Sequence, residues 1–117
     1  MSVPPPMPLF KGTLDVIILR TLSWGPAHGY AISRWIRQTT QDELTIEEGA
    51  LYPALRRLEE RGWVEATWKT TESGRDAKVY RLTGPGRAQL RAELSTWTRY
   101  VRAMKRVLET EPSEALT

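Results

Sequence analysis

Cysteine is absent from the chain, and histidine occurs once, at His28. Without thiols there is no disulfide staple and no thiolate metal site. A lone histidine with no carboxylate cluster at ligand spacing supplies neither a metal centre nor an acid–base pair, and no Gly-rich loop has the spacing that cradles a phosphate. The adjacent carboxylates Glu47 and Glu48, and Glu59 and Glu60, cannot face one another, because consecutive helical residues point about 100° apart. They read as cap and surface charges. His28 stands just before Gly29, where a helix begins, and reads as a cap or packing residue in preference to an acid–base group. No apolar run is long enough to cross a bilayer. The opening MSVPPPMPLF has four prolines between Pro4 and Pro8 and lacks the apolar stretch and cleavage pattern of a signal peptide. These shortages argue against an enzyme, lead us to expect no metal and no cofactor, and point to a cytoplasmic chain with no membrane partner.

What is present suits one small domain with an appended element: 117 residues, 40% of them hydrophobic and 26% charged. A net charge of +3 and a pI near 9.5 lean toward an acidic partner, but the excess is small and its placement matters more. Between Gly84 and Leu108 six basic residues (Arg87, Arg91, Arg99, Arg102, Lys105, Arg106) face only Glu93. Such a bias is either a solvated helix face or one turned to phosphates.

The stretch the chain is built to present is EGALYPALRRLEERGW, Glu48 to Trp63. Leu51, Leu55 and Leu58 recur at the spacing of one buried helix face, leaving Tyr52, Pro53 and Arg56 on the other, with Gly49 and Ala50 opening the backbone at its start. Gly62 suits the left-handed position that ends a helix. Two signals disagree about where the helix starts. Thr45 with Glu48 fits a capping box, which would strand Pro53 in the interior; a start near Glu47 to Gly49 instead puts Pro53 at the edge of the first turn. This helix is not basic, since Arg56, Arg57 and Arg61 are offset by Glu48, Glu59 and Glu60.

Around it the chain divides into a proline-rich lead-in (1–10), a unit of helices and a hairpin (11–83), expected below to bind DNA, a long last helix (84–109), expected below to dimerise, and a flexible tail (110–117). Thr13 to Trp24, apolar on nearly every side and stopped by Gly25-Pro26, predicts a central helix. Gly29 to Thr39 predicts a second, with Ala31, Ile32, Trp35 and Ile36 inward. Leu44 to Ile46 suits a small strand. Trp63 to Lys69 and Ala77 to Leu82 alternate as a hairpin around the polar loop Thr70 to Asp76. Trp63, Val64, Trp68, Tyr80 and Leu82 read as core. Thr83 caps a last helix whose Leu90, Leu94, Trp97, Val101, Met104 and Leu108 step by 4 and 3, a heptad seam that asks for a second copy of the chain.

Helix, helix, short link, presented helix and hairpin is the element order of a winged helix-turn-helix. The expected fold is therefore mainly α with a small β wing, plus a long C-terminal dimerisation helix. In that fold Gly49, Ala50, Tyr52, Pro53 and Arg56 face base edges and phosphates of double-stranded DNA, and Lys69, Arg75 and Lys78 meet phosphate from the wing. Tyr52 reads equally as a packing residue, and Arg57 and Arg61 as partners of Glu60 and its neighbours within the helix.

The segments LDVIILRTLSWGPAHGYAI, EEGALYPALRRLEERGW and AKVYRLTGPGR resemble the signature blocks of the PadR family of bacterial transcriptional regulators, in its short subgroup with one C-terminal helix. The resemblance runs from Gly12 to about Leu108. It implies a homodimeric winged-helix repressor of an inverted-repeat operator, with Glu48 through Arg61 as recognition helix. It also implies that a tryptophan at the place of Trp97 stacks on a small aromatic effector between subunits in some members. Trp97 reads otherwise as a large knob in the dimer core. Val16, Arg20 and Tyr100 are placed to line such an effector space, where Arg20 suits an anionic or polar ligand better than a cation. The rival reading is a winged-helix protein-interaction module that has given up DNA and docks through the mixed-charge helix.

Overall fold

A computed structural model of the chain describes residues 5–9, 12–114 and 116. Its elements in order are β1 (Met7–Pro8), α1 (Leu14–Leu22), β2 (Ala27–His28), α2 (Gly29–Thr39), β3 (Leu44–Thr45), α3 (Glu48–Glu60), β4 (Val64–Thr70), β5 (Asp76–Leu82) and α4 (Gly84–Glu109). Mainly helical with a small sheet, it has the winged helix-turn-helix architecture with a long last helix.

The apolar wheel of α1 is spent on the centre of the molecule: Ile18, Leu19 and Leu22 are sealed, and α2, α3 and α4 close around them. Thr21 enters that core without penalty because its hydroxyl donates to the Ile17 carbonyl at 2.8 Å. His28 caps α2 through Nδ1, which accepts the Ala31 amide at 3.2 Å. Its backbone also pairs with Val79, making β2 a third strand in the order β2-β5-β4. The sequence predicts only a hairpin here, because two residues carry no period. Within the proline-rich lead-in, Met7 and Pro8 pair in parallel with Leu44 and Thr45 of the α2–α3 link.

Helix α3 begins at Glu48 behind Glu47, whose side chain makes no cap bond, so the Thr45 capping box is not formed. Pro53 stands inside the helix and not at the edge of its first turn. Having no N–H, it leaves the Gly49 carbonyl without its intrahelical donor. Both residues are exposed, so water can take that carbonyl. Packing offsets the loss: Leu51, Ala54, Leu55 and Leu58 are at most 1% exposed. Each leucine contributes about 2 kcal/mol of apolar burial. Gly62, at φ 76°, ends the helix. The Trp63 amide reaches the Leu58 carbonyl and the Gly62 amide reaches the Glu59 carbonyl, the paired bonds of a Schellman stop.

Strands β4 and β5 pair from Val64↔Leu82 to Thr70↔Asp76. Val64, Tyr80 and Leu82 share the buried face. Trp68, expected in the core, is 69% exposed. It keeps the inward register of Val64, but none of the described residues covers the hairpin at that point. At the other end of β5, Thr83 accepts the Gly86 amide at 3.0 Å and donates to the Gly62 carbonyl at 2.7 Å, tying the start of α4 to the end of α3. The heptad seam of α4 then splits. Leu90 is buried, and Leu94 and Trp97 pack on the core, whereas Val101, Met104 and Leu108 are 57%, 43% and 73% exposed.

Candidate nucleic-acid interface

With four apolar residues of α3 turned inward, Gly49, Ala50, Tyr52, Pro53 and Arg56 all lie on its exposed side. Its charges are sorted by their neighbours. Arg57 and Arg61 do not pair within the helix, as the sequence suggests, but reach across to Asp15 at the start of α1, Arg61 at 3.9 Å. Glu59 holds Lys78 of β5 at 3.2 Å. Of Arg56, Arg57 and the C-cap Arg61, Arg56 alone has no hydrogen bond or ion pair among the described residues, so its guanidinium is available to a ligand.

Tyr52 fulfils both of its readings at once. It is 45% exposed, yet one edge of its ring rests on the buried Gly29 at the start of α2. A Cβ on Gly29 would lie 2.8 Å from Tyr52 Cε1 and 3.1 Å from its hydroxyl. The Gly29→Ala protein is therefore expected to fold but to swing Tyr52 outward, weakening binding to a specific duplex about tenfold while changing non-specific binding little. Parallel titrations with a selected and a scrambled duplex check this, and equal losses on both count against it.

The seam between α3 and β5 also gathers Tyr80 with Tyr52, Arg56, Glu59 and Lys78. Burial pushes the Tyr80 phenol above its ordinary value, with Lys78 pulling the other way. Lys78 is thus engaged with Glu59 and does not reach for the wing tip. Lys69 and Arg75 are exposed and have no side-chain partner among the described residues. The tip between them is closed by the Thr71 amide on the Arg75 carbonyl at 2.7 Å and by Gly74 at φ 82°.

Two features of this side were not read from sequence. At the start of α2, Arg34 donates to the Tyr30 hydroxyl at 3.2 Å and lies over its ring, and His28 stacks on that ring. The i, i+4 spacing of Tyr30 and Arg34 is the signal that could have found them. Trp68 on the wing is the other. No group of three His, Cys, Asp or Glu able to hold a metal occurs among the described residues.

A helix turned outward from a three-helix core, flanked by a hairpin, is shared by a known group of proteins. The sequence profile of the "Transcriptional regulator PadR-like family" matches residues 18–92.

The chain belongs to this PadR-like family of transcriptional regulators.

It is 35% identical over 89 residues to a Lysinibacillus sphaericus protein named only "Uncharacterized protein X", covering 76% of this chain and 82% of that one. Among solved structures, a transcriptional regulator from Clostridium thermocellum is 30% identical, with a TM-score of 0.75 over 82% of this chain and 90% of its own. A PadR family transcriptional regulator from Eggerthella lenta DSM 2243 is 33% identical, with a TM-score of 0.74 over 86% of each chain.

In this PadR-like chain the residues expected to meet an effector are only partly gathered. Val16, Arg20 and Trp97 line a cleft of about 330 Å³ between α1, α2 and α4, joined by Trp35, Ile36 and Leu94. Tyr100 lies outside it, edge-on to Trp97 at 5.7 Å, on the exposed part of α4. The Arg20 guanidinium stacks on Trp24, 4.4 Å from the ring centre, and Trp24 is not among the residues lining the cleft. Among the described residues no helix is long and apolar enough to cross a membrane.

Proposed function

We propose that this PadR-like regulator is a homodimeric, sequence-specific repressor that acts in the cytoplasm. It reads an inverted-repeat operator with Gly49, Ala50, Tyr52, Pro53 and Arg56, and grips phosphates with Lys69 and Arg75, with Lys78 placed between wing and helix. The observation that carries this reading is the face of α3. Its leucines and two of its arginines are committed to the fold, whereas Tyr52 and Arg56 are left open beside an exposed backbone.

The apolar stripe of α4 supports the dimer. Val101, Met104, Val107 and Leu108 are exposed on a helix whose other half is anchored, an arrangement a second copy would cover. Leu90, Leu94 and Trp97, expected in the same seam, are instead packed on the core of their own chain and anchor the helix beneath that stripe. The cleft beside Trp97 supports a small aromatic effector, its apolar walls suiting a flat ring and Arg20, among its lining residues, an anionic substituent.

Selection from randomised duplex DNA tests the reading. The expected product is an inverted repeat with half-sites about one helical turn apart, bound by a species of twice the 13.4 kDa chain mass in sedimentation. Binding is expected to fall steeply with salt, because phosphate contacts release counterions. A monomer that enriches no sequence would favour the rival protein-docking module.

A further inference from the structure

Trp68 is the aromatic of the wing that the fold does not use. The pairs Val64↔Leu82, Ala66↔Tyr80 and Trp68↔Lys78 step along one face of the hairpin. The first two lie against the core, and Val64, Leu82 and Tyr80 are at most 5% exposed. The third continues the same face past the cover of α3, so Trp68 stands 69% exposed with its register still inward. Lys78 beside it reaches Glu59 on the α3 shoulder, and Arg56 and Tyr52 open from the same shoulder. On the other side of Trp68, Thr70 donates to Asp76 at 3.2 Å, which occupies that carboxylate. Lys69 and Arg75 are the cations without partners nearest the tip, and Glu72 is the exposed acid there. The indole thus shares its face with Lys78, while Lys69, the next residue along the strand, points to the opposite face of the hairpin.

We propose that Trp68 is a nucleic-acid contact: its indole packs on the deoxyribose edge of the DNA strand that runs between α3 and the wing, on the face it shares with Lys78. This rests on the DNA-binding reading above and adds to it a contact of different chemistry. Sugar edges are the apolar part of a nucleic-acid backbone, and an exposed indole gains by leaving water against them. Such a contact neutralises no phosphate and therefore releases no counterions. Its loss lowers affinity by the same factor at every salt concentration, whereas loss of a cation also flattens the salt dependence by about 0.9 per phosphate. A protein partner would leave DNA affinity unchanged when the indole is removed.

The test is a set of anisotropy titrations over a range of salt, using a duplex recovered from randomised DNA by the wild-type protein. Trp68→Ala is expected to bind about tenfold more weakly at each salt, on a line parallel to wild type. Trp68→Phe should recover most of that loss, and Lys69→Ala should give the flatter line. The thermal midpoint of each variant is expected to stay at the wild-type value, since the residue is exposed, and Trp68→Gln serves as a second truncation. Wild-type affinity in both Trp68→Ala and Trp68→Gln would overturn the inference and leave the DNA-binding reading standing. So would a loss that flattens the salt line or follows a fall in the midpoint. If the wild-type protein recovers no duplex at all, both fall.

Discussion

Gly86→Ala is expected to lower the stability of the fold by about 3 kcal/mol or more, the upper end of what an overpacked methyl costs. A Cβ at this position would sit 2.0 Å from the Trp63 carbonyl oxygen and 2.8 Å from Leu82 Cδ1. The first obstacle is backbone, held in place by the Thr83 amide at 3.1 Å, so it cannot rotate aside as a side chain would. The start of α4 must lift away from the end of α3, taking the Thr83 bonds to Gly62 and Gly86 with it. Gly49→Ala, in the first turn of α3, is the matched control. Nothing lies within 4 Å of a Cβ there, and alanine in place of glycine in a helix is neutral or stabilising by several tenths of a kcal/mol. Thermal denaturation followed by circular dichroism should place the two variants at least roughly 10 °C apart. Coincident midpoints would show that the close approach at Gly86 carries no weight.

Arg56→Ala is expected to weaken binding to a selected duplex by about 10- to 100-fold, the range of a lost base-edge contact, while weakening binding to random DNA far less. The expectation follows from how the α3 arginines are shared out. Arg57 and Arg61 are committed to Asp15, so their removal loosens the contact between α3 and α1 before it touches a ligand. Arg56 has no such commitment, and its substitution should leave the thermal midpoint where it was. Competition titrations with specific and scrambled duplexes measure the difference. A uniform loss on both would reassign Arg56 to phosphate.

Much of this arrangement is legible in the chain because it rests on local rules. The leucine spacing of α3, the glycine stop at Gly62, the caps at His28 and Thr83 and the alternation of β4 and β5 each need only neighbouring residues to be read. What was not legible depends on partners far away in sequence. Asp15 lies 42 residues before Arg57, and no spacing within the helix shows that it outcompetes Glu60. Strands β1 and β2 are two residues long and exist only because β3 and β5 lie beside them. Trp68 obeys the period of a core residue, but period reports which face a side chain is on and not how far the covering helix reaches. Pro53 fits a start at Glu48 only because the buried leucines outweigh one missing amide. The α4 seam is a single pattern in sequence, whereas the fold divides it between an anchored half and a free one.

At the joint of β2 and α2, one short stretch fastens three parts: His28 is stitched to Val79 by its backbone and closes α2 with its ring, and Gly29 seats Tyr52. Helix α3 and the wing are thereby riveted to the same short stretch. In the regulator proposed above, an effector in the cleft between α1, α2 and α4 would then act by re-aiming the whole head on its stalk and not by prising helix and wing apart.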